Sequence, residues 1–168
     1  MKKLVLILLL AWNTNCFATT PSLDEVRLLY QKAVTEKTAC QKLTGMLQSY
    51  NERNNPLLGG YRACATMVMA KHAINPFSKL SYFSKGKQLL EKTIAADAKN
   101  VELRFLRFAV QTNLPSFLGY NDHIQKDKAF LLKSIVHLDD LELKQQVVAY
   151  LKSSDYVTAP EKQNLHAG

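Results

Sequence analysis

The sequence predicts an all-α protein of about six helices in three antiparallel hairpins. Apolar residues recur with helical spacing along nearly the whole chain, and no stretch alternates between apolar and polar residues as a half-buried strand does. Polar turns containing Asn, Asp or Pro separate the periodic stretches. We expect the hairpins to stack as a short right-handed solenoid, and the alternative is a compact helical bundle.

The first 18 residues have the features of a secretory signal peptide. Lys2 and Lys3 precede an apolar run from Leu4 to Trp12, and small side chains at Cys16 and Ala18 suit cleavage after Ala18. This run is shorter than the ~20 residues that span a bilayer. We therefore expect an exported protein, periplasmic or secreted, with no stable membrane span in the mature chain. The alternatives are a retained membrane anchor and a lipoprotein anchored through Cys16.

Residues 19–154 are predicted to form a single helical domain, and residues 155–168 a short C-terminal tail. Loss of Lys2 and Lys3 lowers the formal net charge of +8 by two. This balance suits acidic partners or an anionic membrane face, although solubility alone explains it equally well. The basic residues are scattered singly, so the sequence predicts no nucleic-acid partner.

The N-terminal half of the domain is predicted to form one hairpin. Ser22 and Glu25 form a capping box that opens a long helix, which we expect to reach about Tyr50. Pro56 suits the first turn of the second helix. That helix ends before Pro76, because the residue before a proline avoids the helical region.

Two cysteines of the mature chain face each other in this predicted hairpin. Cys40 and Cys64 fall at roughly the same level when the two helices run antiparallel. An oxidising compartment then allows a disulfide between them. The alternative is a pair of buried free thiols.

The C-terminal half of the domain is predicted to form two further hairpins. Residues 79–111 form two helices joined by the polar turn 97–100. Residues 112–121 form a connector that is rich in apolar residues and either packs on the core or lines a binding surface. Asp122 caps a fifth helix, and the pair Asp139 and Asp140 caps a sixth.

Residues 90–105, LEKTIAADAKNVELRF, resemble the junction between tetratricopeptide (TPR) units, in which a D-P-N-N-like turn separates two helices. Ala98 stands where that family prefers proline, and Arg107 and Phe108 where it prefers leucine and glycine. The longer stretch 76–122 is similar to a group of small, uncharacterised exported bacterial proteins described as TPR-like. The resemblance implies helical repeats and an interaction role, and it implies no activity.

The candidate binding surface lies on the helix after this turn. Arg104, Arg107 and Gln111 share one helical face, from which arginine forks can bind a carboxylate or phosphate of a partner. The alternative is internal pairing of the arginines with Asp97, Glu102 or Asp127. Other side chains that we expect to border the same surface are Lys71, Tyr82, Tyr120 and His123.

Signatures of catalysis are missing from the sequence. It contains no phosphate-binding glycine loop, no H-E-x-x-H, no C-x-x-C and no G-x-S-x-G, and its histidines are not spaced as ligand pairs. We therefore name no catalytic residue, metal or cofactor, and the sequence leans against an enzyme. It favours a non-catalytic module of the bacterial cell envelope that binds a protein or peptide. The alternative is a pocket protein or small enzyme that binds a small anionic ligand through Arg104 and Arg107.

Overall fold

The computed structural model describes residues 20–165, and this part of the chain is all-α, as predicted. The signal peptide and Cys16 lie outside the described residues. Eight α-helices follow one another within residues 20–165, more than the six expected. They are α1 Leu23–Ala33, α2 Lys37–Met46, α3 Pro56–His72, α4 Pro76–Ala96, α5 Val101–Asn113, α6 Ile124–Ser134, α7 Leu141–Ser153 and α8 Ala159–Gln163.

Side-chain caps explain where most of these helices begin. The Ser22 hydroxyl accepts a hydrogen bond from the backbone of the first turn of α1, and Asn55, Asn75, Asn100 and Asp140 do the same for α3, α4, α5 and α7. Each cap satisfies a backbone N–H that has no partner within its helix. A proline occupies the first turn of α3 and α4, where its missing N–H costs nothing.

The predicted first helix is two helices. The chain leaves the helical conformation at Glu36, which has an extended backbone, and the Thr35 hydroxyl donates to the Lys32 carbonyl at 3.3 Å. This side-chain bond competes with helix continuation. The apolar spacing did not reveal the break, because the buried residues Ala33 and Cys40 lie two helical turns apart on either side of it.

This break shifts the pairing of the helices that follow. We expected α4 to pair mainly with α5, but α4 packs most extensively on α3, while α1 pairs with α2 and α5 with α6. Gly86 permits the close approach of α4 to α3, because a Cβ there would lie 2.6 Å from the Ala63 carbonyl oxygen. The odd-numbered helices contact one another in the order α1, α3, α5 and α7.

Two apolar cores lie along this layer of helices. The first joins residues of α1 to α5, and the second joins α5, α6 and α7 to the residues on either side of α8. Helix α5 supplies Leu103 and Leu106 to the first core and Phe108 to the second. Packing also continues past residue 154, where we placed the end of the domain, because Val157 and Leu165 are buried in the second core. None of the helices in residues 20–165 has the length and apolar character needed to cross a bilayer.

Candidate functional site

Arg107 occupies the centre of a buried ion network. Its Nε and Nη2 atoms donate to the two carboxylate oxygens of Asp127 at 2.7 and 2.9 Å, and Nη1 donates to Glu91 Oε2 at 2.6 Å. Both Arg107 and Asp127 are buried. Burial alone lowers the pKa of Arg107, but the hydrogen bonds and charges of Asp127 and Glu91 outweigh it and raise the pKa above its ordinary value.

Arg104 belongs to the same network. Its Nε lies 2.5 Å from Asp127 Oδ1, close enough for an ion pair but without the alignment of a hydrogen bond. The guanidinium also lies over the Phe130 ring, 4.8 Å from its centroid, where the ring face attracts a cation. Both arginines of the predicted surface therefore pair with an internal carboxylate. This is the alternative considered from the sequence, and Asp127 is the partner.

Three more of the predicted residues extend this network. The Tyr120 hydroxyl donates to Glu91 Oε1 at 2.5 Å, and His123 Nε2 lies 3.9 Å from Glu91 Oε2. The Gln111 side-chain oxygen accepts from the His123 backbone N–H at 3.2 Å. Gln111 Nε2 is buried and has no hydrogen-bond partner among the described residues. We name this set the Asp127 cluster: Glu91, Arg104, Arg107, Gln111, Tyr120, His123 and Asp127.

Lys71 and Tyr82 lie outside the Asp127 cluster. Lys71 is exposed near the end of α3, and its Nζ donates to the Val34 carbonyl at 3.0 Å. Tyr82 is partly exposed on α4. The predicted surface is thus divided, because five of its residues stabilise the packing of α4, α5 and α6 and two lie elsewhere.

A groove of about 840 Å³ runs between the four odd-numbered helices, and we name it the central groove. Its walls are mainly apolar and aromatic. The polar side chains that line it include Gln31, Lys71, Asn113, Gln146 and Ser153. The apolar and aromatic side chains include Tyr30, Val34, Met67, Val68, Phe105, Ala109, Val110, Leu114, Ala149 and Tyr150. The groove could not be predicted from the sequence, because it depends on the helix pairing that follows the break before α2.

A second buried network closes one end of the central groove. Arg27 donates to both carboxylate oxygens of Glu102 at 2.8 Å, and its Nη2 also donates to Asp140 Oδ2 at 2.7 Å. The Tyr61 hydroxyl donates to Glu102 Oε1 at 2.5 Å. These four residues, the Arg27 network, join all four odd-numbered helices at their N-terminal ends. The sequence carried no sign of it, because charged side chains are normally exposed.

Electrostatics favour the charged forms of Arg27 and Asp140 in the Arg27 network. The hydrogen bond from Arg27 to Glu102 raises the pKa of Arg27 above its ordinary value, although burial opposes this. Burial and the neighbouring Glu102 carboxylate raise the pKa of Tyr61, which therefore stays protonated and donates. The Leu143 backbone N–H and Arg27 both lower the pKa of Asp140.

The opposite end of the central groove is its mouth. The C-terminal ends of the odd-numbered helices meet there, since Lys71 bonds to Val34 and the Asn113 amide donates to the Tyr150 hydroxyl at 2.5 Å. No carboxylate lines the central groove in the described part of the chain. Because Glu102 and Asp140 neutralise Arg27, Lys71 supplies the charge that an occupant would meet.

Cys40 and Cys64 are both buried thiols with no bond between them in this structure. The Cys40 thiol donates to the Ala65 carbonyl at 3.4 Å, and Cys64 lines the central groove. Burial raises the pKa of Cys64 to about 12, so its thiol stays protonated. Pairing of the two cysteines stays a prediction.

No group of three or more histidine, cysteine, aspartate or glutamate side chains in residues 20–165 is arranged to hold a metal ion. No protein-family model matches the chain, and comparisons with curated proteins and with solved structures also found no match. The TPR resemblance of residues 90–105 therefore stays a prediction. The central groove and the two ion networks are the features from which a function can be argued.

Proposed function

We propose that this protein is a non-catalytic interaction module of the bacterial cell envelope that holds a segment of a partner protein in the central groove. The observation that carries the proposal is the groove itself, an open apolar channel of about 840 Å³ bordered by four helices. Concave apolar sites with a few polar groups are typical of binding surfaces. Export by residues 1–18 is part of the same proposal.

The lining of the central groove limits the chemistry of the partner segment. Aromatic and aliphatic walls such as Phe105 and Val110 suit apolar side chains, and Gln31 and Gln146 supply amides for the backbone of an extended peptide. Lys71 at the mouth suits a carboxylate. The occupant we propose is a short apolar peptide segment with an acidic group at the end nearest the mouth.

This proposal places the binding surface in the groove, away from Arg104 and Arg107. Both guanidinium groups already lie against the buried carboxylate of Asp127. Exposing them to a partner would leave that carboxylate buried without its counterions, which costs several kcal/mol.

The volume of the groove supports a second candidate, a protein that binds a small anionic ligand. Sites for small molecules range from about 300 to 1,000 Å³, and the central groove falls inside that range. In this candidate Lys71 binds the anion in place of Arg104 and Arg107, and the apolar walls hold the body of the ligand.

Site-specific photocrosslinking in the host envelope tests the proposal. A benzophenone amino acid replaces Ala149, an exposed residue of the groove wall, and the matched control replaces Val136, which is exposed on the turn between α6 and α7. We expect one partner peptide to crosslink at position 149 and not at position 136. A synthetic copy of that peptide should bind the purified chain and lose binding in Ala149→Arg.

Three outcomes separate the candidates. Equal crosslinking at positions 149 and 136 would contradict a partner segment in the groove. If the synthetic copy of the crosslinked peptide binds the Ala149→Arg variant as tightly as it binds the native chain, that result would also contradict a partner segment in the groove. A small molecule retained by the native chain in mass spectrometry, and lost from Ala149→Arg, would establish the second candidate.

A further inference from the structure

The turn between α3 and α4 exposes an unusual set of large apolar side chains. Ile74 is 96% exposed, Phe77 83% and Leu80 60%. Single exposed apolar residues are common on soluble proteins, but here three follow one another within two helical turns. The core contacts of α4 lie elsewhere, at buried residues such as Phe83 and Leu90.

The connector between α5 and α6 adds a fourth apolar side chain close by. Its Tyr120 ring packs against Phe83 with centroids 6.2 Å apart, and Lys87 Nζ lies 4.7 Å from the centroid of the Tyr120 ring. The connector therefore passes α4 near Phe83, one helical turn after Leu80. Leu118 packs against the first core, whereas Phe117 beside it is 84% exposed. We name Ile74, Phe77, Leu80 and Phe117 the apolar tip.

Lysines precede, interrupt and follow residues 74–80 in the sequence, and no exposed carboxylate lies among them. Residues 71–92 contain five lysines, Lys71, Lys79, Lys85, Lys87 and Lys92, and a single acidic residue, Glu91. Both oxygens of Glu91 are occupied, one by Arg107 and the other by Tyr120. The segment therefore presents apolar side chains and positive charge together.

We propose that the apolar tip docks this protein on the surface of an anionic lipid bilayer. Phenylalanine, leucine and isoleucine side chains enter the boundary between headgroups and acyl chains, while lysines beside them bind lipid phosphates. The same arrangement of apolar and cationic side chains is what surface-bound amphipathic helices use. This is a second surface, next to the mouth of the central groove, and Lys71 borders both.

The lysines also argue against a second copy of the chain as the occupant. A symmetric dimer through this face would place the same patch of both molecules together. Lys79 and Lys85 would then meet their own copies across an apolar interface, where like charges repel. A negatively charged bilayer neutralises them instead.

Vesicle binding of the exported chain, purified from its host envelope, tests the proposal. The probes are vesicles of phosphatidylglycerol and phosphatidylethanolamine, compared with vesicles of phosphatidylcholine alone. We expect the partition coefficient to be at least tenfold higher on the anionic vesicles and to fall as salt rises. Phe77→Ser/Leu80→Ser and, separately, Lys79→Glu/Lys85→Glu should each lower it at least tenfold.

Matched control variants carry the same chemical changes at the opposite end of the molecule. Val136→Ser/Leu141→Ser alters two exposed apolar residues at the turn between α6 and α7, and Lys99→Glu/Lys133→Glu alters two exposed lysines. Both should bind vesicles like the native chain. Circular dichroism confirms that each variant folds.

Several results would overturn the proposal. These are the absence of binding to anionic vesicles, equal binding to phosphatidylcholine vesicles, and control variants that lose binding as strongly as the tip variants. A dimer detected by sedimentation velocity, and abolished by Phe77→Ser/Leu80→Ser, would assign the tip to a second copy. Crosslinking at Ala149 is measured independently, so failure of the tip leaves the groove proposal standing.

Discussion

The Arg27 network and the Asp127 cluster use the same chemistry in two different settings. Each places one arginine between two carboxylates and adds a tyrosine hydroxyl that donates at 2.5 Å. In the Asp127 cluster, Asp127 is completely buried and accepts from Arg107 while it pairs with Arg104. In the Arg27 network, the Asp140 side chain is 39% exposed and the assembly borders the central groove. Similar ion networks can therefore hold helices together in one place and form the end of a binding site in another.

Removing the charge of Asp127 should have the largest effect on stability. In Asp127→Asn, Arg104 and Arg107 remain buried and lose their shared counterion, so we expect the free energy of unfolding to fall by about 3–5 kcal/mol. Urea denaturation followed by circular dichroism measures this. A loss below about 1 kcal/mol, the range of surface ion pairs, would show that the cluster contributes little.

Removing the charge of Glu102 should have a smaller effect. Glu102→Gln keeps one acceptor for Arg27, and Asp140 still neutralises the guanidinium. We expect a loss of about 1.5–3 kcal/mol in the free energy of unfolding, the range for hydrogen bonds to charged groups. The same urea titration applies. If Glu102→Gln lowers the free energy of unfolding as much as Asp127→Asn does, the partly exposed Asp140 does not compensate for the lost charge. The two networks would then not differ as proposed.

Asp140 should make part of the stability depend on pH. Its pKa is lowered below the ordinary value of 3.8 in the folded state, so its contribution is present above pH 3.8 and is lost as pH falls through the folded pKa. Asp140→Asn should lower the melting temperature at pH 7 and have a smaller effect near pH 2. A difference that is equally large at both pH values would mean that the charge of Asp140 contributes nothing.

The two tyrosines should give the smallest effects and the sharpest contrast. Tyr61→Phe and Tyr120→Phe each remove one hydroxyl donor, at a cost of about 0.5–1.5 kcal/mol in the free energy of unfolding. Tyr61 lines the central groove and Tyr120 does not. We therefore expect only Tyr61→Phe to change the affinity for the peptide that crosslinks at Ala149, measured by fluorescence anisotropy. Equal changes in peptide affinity in both variants would show that Tyr61 has no special role in the central groove.

Local rules predicted much of the fold from the sequence. The all-α class follows from apolar spacing, and caps such as Ser22 and Asp140 begin helices where the sequence placed them. The break at Glu36 escaped prediction, because the buried stripe continues across it in register. Its consequence was large, since the main partners of α3, α4, α5 and α6 then differ from those expected.

The site was harder to predict than the fold. Helical spacing correctly placed Arg104, Arg107 and Gln111 on one face of α5, but it could not decide whether a partner or Asp127 meets that face. Arg27, Glu102 and Tyr61 come from three helices far apart in sequence. Their proximity depends on tertiary packing, which the periodicity of a single helix does not predict.

The mouth of the central groove and the apolar tip lie at the same end of the molecule, because Ile74 follows Lys71 where α3 ends. A protein docked through the tip would hold its groove open toward the lipid headgroups. Its occupants would then arrive by lateral diffusion along the bilayer, at an effective concentration far above that in free solution. Such a geometry favours segments of membrane-anchored proteins over soluble ones, whatever their intrinsic affinities for the groove.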